Sequence, residues 1–259
     1  TWIVLRALAG FCFSGSYMII ESWLNERISD ENRGAMFSIY MVISQVAFMS
    51  GQYLLAIADP KEETLFMMGA ILYCLAVLPT ALSKAQSPAP LTQVDINLTH
   101  MFKNSPTAFI GAIVAGILAS AFQNFAPVFG AAEGMSSANI ANMMAAVMLG
   151  AAIFQFPLGK LSDMVDRRYV MVGLSLAGTV VGFGVSTVSV ENGEPTLLFF
   201  AVMVFLGGFV FPIYGLVTAH ANDHAQPEDF VKISSSLLIL YGIGNMIGPL
   251  VTGPMMQIF

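Results

Sequence analysis

The sequence predicts an all-α polytopic membrane protein. Three observations carry that prediction. The 259 residues are 56% hydrophobic and only 10% charged, against roughly 25% charged in a soluble domain, which leaves too little polar surface to face water. The apolar residues gather in eight continuous runs, each near the roughly 20 residues that a helix needs to cross a bilayer core. Basic residues concentrate in alternate loops between the runs. Continuous rather than alternating apolar residues argue against a transmembrane barrel. Backbone groups in lipid must find partners within their own segment, so the spans are helical.

The runs cover 2–20, 36–58, 65–82, 106–129, 138–158, 169–188, 197–219 and 233–259. Pro212 and Pro249 fall inside the last two and read as kinks, with a break possible near Pro249. The polar stretch 83–105 carries Pro88 and Pro90 and reads as a linker between two bundles. Three runs precede it and five follow. Glycines such as Gly242, Gly244, Gly248 and Gly253 allow close helix approach, and the abundant methionines suit adaptable packing.

Charge assigns a side to each loop. The first, third, fifth and seventh loops hold Arg27, Arg33, Lys84, Lys103, Lys160, Arg167, Arg168 and Lys232, whereas the second, fourth and sixth hold only Lys61. By the positive-inside rule the odd loops, linker included, are cytoplasmic and Thr1 starts outside. A net charge of −6 with ten Lys and Arg does not suggest nucleic-acid binding. Cys12 and Cys74 both sit in apolar runs, without a disulfide framework or metal-ligand spacing. The first run is too long for a signal core and lacks a basic leader. The missing initiating Met leads us to expect a fragment.

One charged decapeptide separates the fifth and sixth runs: Gly159-Lys160-Leu161-Ser162-Asp163-Met164-Val165-Asp166-Arg167-Arg168. This Gly-x-x-x-Asp-x-x-x-Arg-Arg pattern resembles the signature loop of the major facilitator superfamily. Arg6-Ala7-Leu8-Ala9-Gly10 resembles the Arg-x-x-x-Gly pattern of the family's fourth helix. Glu21-Ser22-Trp23-Leu24-Asn25 with Arg33-Gly34, and Ala219-His220-Ala221-Asn222-Asp223, are similar to the bacterial inner-membrane, YcaD-like branch. The resemblance implies a partial fold of this family, about eight of twelve transmembrane helices in two bundles. Residues 1–83 would be helices four to six, 84–105 the inter-bundle linker and 106–259 helices seven to eleven. The chain departs from the pattern at Met164, usually basic, and at Asp166, usually Gly. The family's antiporter Gly-Pro motif is absent from 36–58, and Gly244-x-x-x-Gly248-Pro249 in the last run is similar to it.

Several residues are candidates for the mechanism. Gly159, Asp163, Arg167 and Arg168 form a candidate cytoplasmic latch, with Glu21, Glu26 and Arg33 as candidate partners from the other bundle; Arg167 can pair bidentately with a carboxylate. Alternatively the loop only sets topology. Arg6 lies inside a run, where a charge costs roughly 2.5–3.5 kcal/mol on insertion scales. It either faces a cavity or snorkels to the interface. Gln45, Gln52, Gln123, Asn124, Tyr241 and Asn245 either line a solute path or join helices at about 0.6 kcal/mol each. His220 and Asp223, with Asn222 and His224 beside them, are either a pH-linked gate or polar helix caps. A zinc site there lacks supporting spacing.

The expected activity is alternating-access transport of a small solute, driven by an ion or proton gradient. The alternative is a non-transporting receptor or scaffold on the same fold. No run carries paired acids, a Ser/His pair or a metal set, so no enzyme is expected, and no phosphate-binding loop suggests an ATP-driven pump. No cofactor or metal is expected. The expected partners are lipid, the solute and possibly protons, in a bacterial inner membrane. The runs hold no acid at mid-depth, and Glu21, Asp163 and Asp223 all lie toward the cytoplasmic side.

Overall fold

The computed structural model describes residues 2–27, 33–54, 62–82, 98–188, 190–223 and 230–258. The chain divides into two units, one of Thr1–Ala47 with Lys61–Gln93, the other of Phe48–Pro60 with Val94–Phe259.

The first unit is built on α1 (Trp2–Arg27), most of α2 (Arg33–Tyr53) and α3 (Thr64–Leu82). α1 meets α3 through aromatic edges: Phe13 lies 5.3 Å from Tyr73 and Trp2 6.2 Å from Phe66, ring centre to ring centre. Quadrupoles favour such edge-to-face pairs.

The second unit contains α4 (Leu98–Asn104), α5 (Pro106–Ala132), α6 (Ser137–Met164), α7 (Arg167–Thr187), a hairpin of β1 (Val190–Glu191) and β2 (Glu194–Pro195), α8 (Leu197–Val210), α9 (Ile213–Asp223) and α10 (Phe230–Ile258). Local chemistry sets the starts of four helices. Ser105, Ser136, Asp166 and Thr196 each turn a side-chain oxygen onto an orphan N–H of the first turn, at Ala108, Asn139, Arg168 and Phe199. Pro106 follows Ser105 at the first helical position, where its missing N–H costs nothing.

Two helix pairs approach backbone to backbone. A Cβ placed on Gly116 of α5 would run into the α10 backbone at Tyr241, and one on Gly244 into Ile113. The same holds for Gly150 of α6 against Val204, and for Gly207 of α8 against Val147. Apolar packing fills in around these pairs. Ala108, Ala112, Val217, Leu237 and Leu240 form one core, and Met143, Met144, Val147, Phe199 and Met203 the other.

Among the described residues, five spans are long and apolar enough to cross a membrane, the 27 residues Leu197–Asp223 counted as one. Their outer faces are apolar, with Phe156, Phe183 and Leu197 largely exposed.

The structure refines the sequence reading in five places. α6 continues six residues past the expected end at Leu158, so the charged decapeptide is mostly helix and only Val165 and Asp166 connect α6 to α7. The seventh run divides into α8 and α9 at Phe211–Pro212, because proline has no N–H to continue the ladder. The last run does not break: α10 passes through both Pro249 and Pro254. Residues 98–104, read as linker, form α4, with Met101 buried and Phe102 edge-on to Phe109 at 5.2 Å. Finally, Asn192 and Gly193 adopt positive φ of 53° and 81° and close the hairpin, the conformation that an Asn-Gly turn favours. The hairpin docks on the α5–α6 connection at Gly134 and on the first turn of α6, where Asn139 Nδ2 donates to Glu194 Oε2 at 3.1 Å. This fixes the hairpin end of the unit opposite the end carrying Arg167.

Candidate functional site

The site is assembled at the ends of three helices of the second unit. α6 delivers Gly159, Ser162 and Asp163 on its last turns. α7 opens with Arg167 directly after its Asp166 cap. α9 ends on Asp223. Asp166, standing where the family pattern has Gly, accepts from Arg168 N–H at 2.9 Å and so takes over the turn.

Arg167 is the hub. Its Nε donates to Asp223 Oδ2 at 2.6 Å, and Nη2 reaches Asp223 Oδ1 at 3.5 Å. Nη2 also pairs with Asp163 Oδ1 at 2.8 Å, back across the α6–α7 connection. Nη1 donates to Ser162 Oγ at 2.8 Å, and the Ser162 hydroxyl donates onward to the Gly159 carbonyl at 2.7 Å. The Arg167 side chain is 18% exposed, against 66% for Asp163 and 46% for Asp223. Both acids meet solvent, so each pair belongs to the class worth about 0.2–1 kcal/mol rather than to the buried ion pairs that cost 3–5 kcal/mol to break. Contacts of this strength hold a conformation without trapping it.

Two cavities flank the hub. One of about 430 Å³ is bordered by Asp166, Arg168, His220 and Asp223. The other, about 250 Å³, is bordered by Gln155, Gly159, Pro212, Gly215 and Ala219. Ser162, Asp163 and Arg167 border both. His220 is buried between α9 and its neighbours at 4% exposure.

The structure therefore joins two sets that the sequence kept apart: Asp163, Arg167 and Arg168 of the decapeptide, and His220 with Asp223 of the seventh run. The carboxylates on Arg167 come from its own unit. The side chains of Glu21, Glu26, Arg33 and Gln45 lie outside the described residues, as does His224. Ser162 is a contributor that sequence reasoning missed; it lies two residues before the end of α6, and only the structure shows it buried.

The remaining candidates are dispersed. Arg6 is exposed on α1 with its guanidinium 5.6 Å from the Trp2 ring centre, so it leans toward the helix start. Gln52 is half-buried near the end of α2. Gln123 and Asn124 are exposed past the middle of α5, and Asn124 Nδ2 is held by the Ser120 carbonyl at 2.7 Å. Tyr241 and Asn245 are half-buried near the middle of α10, on turns that pack against Gly116 of α5. The Tyr241 ring meets Tyr214 of α9 at 4.6 Å. Among the described residues, no three His, Cys, Asp or Glu side chains gather as a metal site.

Five apolar spans packed through glycine, with their charges at the helix ends, define a polytopic α-helical integral membrane protein. The Major Facilitator Superfamily model matches residues 1–249, and the chain belongs to that family. It is 26% identical over 259 residues to an "Uncharacterized MFS-type transporter" of Yersinia pestis, covering 99% of this chain and 66% of that protein. It is 25% identical to the "Uncharacterized MFS-type transporter YcaD" of Escherichia fergusonii with the same coverage. Against YcaD of Escherichia coli it is 24% identical over 261 residues, covering 100% and 66%. The chain thus spans 66% of the length of these curated relatives, and they bear out the resemblance to the YcaD-like branch. No solved structure gives a significant match.

Proposed function

We propose that this chain is part of a secondary transporter that moves a small solute across the bacterial inner membrane by alternating access, coupled to an ion or proton gradient. In this reading the Arg167 end, with residues 83–105, is cytoplasmic, and Asp163, Arg167 and Asp223 form a clasp that closes when the cytoplasmic side closes. Gln123, Asn124, Tyr241 and Asn245, near mid-span, are candidate contacts of the solute path.

The observation that carries the reading is the position of Arg167. It binds acids on two helices that are far apart in sequence, at the family's signature position, with pair strengths low enough to open in every cycle. A residue that only set topology would need no partners.

The test uses the full-length protein in inner-membrane vesicles, with a broad panel of labelled solutes under imposed proton and sodium gradients. We expect gradient-dependent flux of at least one solute, and its loss in Asp163→Asn with insertion unchanged. No gradient-dependent flux across the panel would count against transport. Normal flux in Asp163→Asn, Arg167→Ala and Asp223→Asn together would reduce the cluster to a topology signal.

A further inference from the structure

The seventh span changes neighbours near its middle. Its first half, α8, packs on α6 through the reciprocal Gly150–Val204 and Gly207–Val147 backbone approaches. Its second half, α9, packs on α5. Leu216, Val217 and Ala221 are buried in the core that Ala108 and Ala112 of α5 share, and Val217 lies against Gly111. The other side of α9 carries Gly215 and Ala219. With Pro212 at the break, it turns toward α6 and borders the 250 Å³ cavity together with Gln155 and Gly159.

The break between the halves frees a backbone acceptor. In an intact helix the Gly208 carbonyl would accept from the N–H of residue 212, and Pro212 has none. Phe211 N–H bonds to the Gly207 carbonyl at 3.2 Å, and Leu216 N–H reaches back only to the Pro212 carbonyl at 3.1 Å. Two consecutive residues of α6 touch the two sides of the break. A Cβ on Gly208 would run into the Phe154 ring, and one on Gly215 would lie 3.0 Å from Gln155 Nε2. The Gln155 carboxamide, which offers an acceptor oxygen as well as its NH₂, therefore stands at the break. A carbonyl freed within a span is costly against lipid, but beside a polar cavity it can hold water or a cation.

We propose that this break is a binding site for a monovalent alkali cation, held by the Gly208 carbonyl and the Gln155 amide oxygen and completed by water in the 250 Å³ cavity. Both protein donors are neutral oxygens. They suit a hard cation of single charge, whereas Ca²⁺ and Mg²⁺ sites draw on carboxylates. At about 30 Å³ per water the cavity has room for roughly eight waters, so the cation need shed only part of its shell. Asp163, a largely exposed carboxylate, stands on the border of the cavity and marks an entry for a cation from the helix ends. The five spans of the second unit carry no carboxylate between their ends. Within them, neutral oxygens can take a cation where no acid is present to take a proton. In naming a coupling ion the inference rests on the transport proposed above; the binding itself requires no flux.

Thermal melting of the purified full-length protein in detergent tests the site, at fixed ionic strength in NaCl, KCl or choline chloride. Na⁺ or K⁺ should raise the melting temperature above its value in choline, and the rise should saturate with concentration. The comparison of the two salts identifies the cation. Pro212→Ala supplies an N–H for the Gly208 carbonyl, and Gln155→Leu removes the amide. Each should cut the rise severalfold, while a cooperative transition in choline shows that the variant is folded. Gln155→Glu adds a carboxylate, so it should enlarge the rise at neutral pH and lose that gain as the acid is protonated. Equal melting of the wild type in all three salts would remove the site. A full rise retained in both Pro212→Ala and Gln155→Leu would place the cation elsewhere and overturn the assignment. The two readings fail separately. Proton-driven flux with no alkali-cation response would remove the site and leave transport standing. A cation response lost in both variants would support the site even if the solute panel showed no flux.

Discussion

Arg167 shows how a charge acquires a role from its neighbours. A guanidinium at the start of a helix gains nothing from the macrodipole, which favours anions there. Its position is explained by Asp163 and Asp223, at 2.8 and 2.6 Å. Arg167→Asp and Asp223→Arg should each abolish most gradient-driven flux, and the double exchange should restore part of it. The coupling should be about 0.2–1 kcal/mol, at most about fivefold in an equilibrium. Asp166 makes the opposite case, a charge whose role is structural. Asp166→Ala removes the α7 cap and should cost about 0.5–2 kcal/mol, while Asp166→Gly should cost only a few tenths. Thermal melting in detergent measures both, and flux at permissive temperature should be unchanged. The sequence reading treated Asp166 only as a departure from Gly, and the structure makes it the α7 cap. The Arg167–Asp223 pair was not legible, since nothing local relates positions 56 residues apart.

At the scale of elements, glycine position decides which helices touch. Gly242 and Gly244 are two residues apart on α10, yet a Cβ on Gly242 meets nothing within 4 Å and one on Gly244 meets the α5 backbone. Gly242→Ala should therefore be neutral or raise stability by up to about 1 kcal/mol, the helix-propensity gain. Gly244→Ala should lose about 1–3 kcal/mol through overpacking, read as a lower melting temperature. Equal shifts in the two variants would mean that α5 and α10 are not in backbone contact. The Gly244-x-x-x-Gly248 spacing announced close packing, but only the fold names α5 as the partner. The hairpin shows a signal present but unused: Asn192-Gly193 is a strong turn dipeptide. α4 escaped because seven residues are too few for a helical period to stand out from a linker.

At the scale of the molecule, the proposed orientation rests on eight basic residues in odd loops against one in even loops. Alkaline phosphatase joined within 84–97 should stay inactive and a fluorescent protein there should glow. Joined after Gly193, the phosphatase should be active. The reverse pattern would turn the protein over and place the Arg167 clasp outside. Even so, the clasp would keep its geometry, because all three of its helices belong to the second unit.

The sequence by itself determined the class, the family and the places of the five runs that the structure shows long and apolar enough to cross a membrane. These depend on quantities summed along the chain, namely apolar length against bilayer thickness, loop charge, and short motifs whose residues are adjacent. Tertiary structure alone decided that Asp223 belongs with Arg167, that Ser162 holds the guanidinium, and that the seventh span is two helices with different supports. The physical reason is that a side chain's partner is set by which helix faces meet. In lipid that depends on backbone approach at a few glycines and one proline rather than on apolar pattern, which is the same on every outward face.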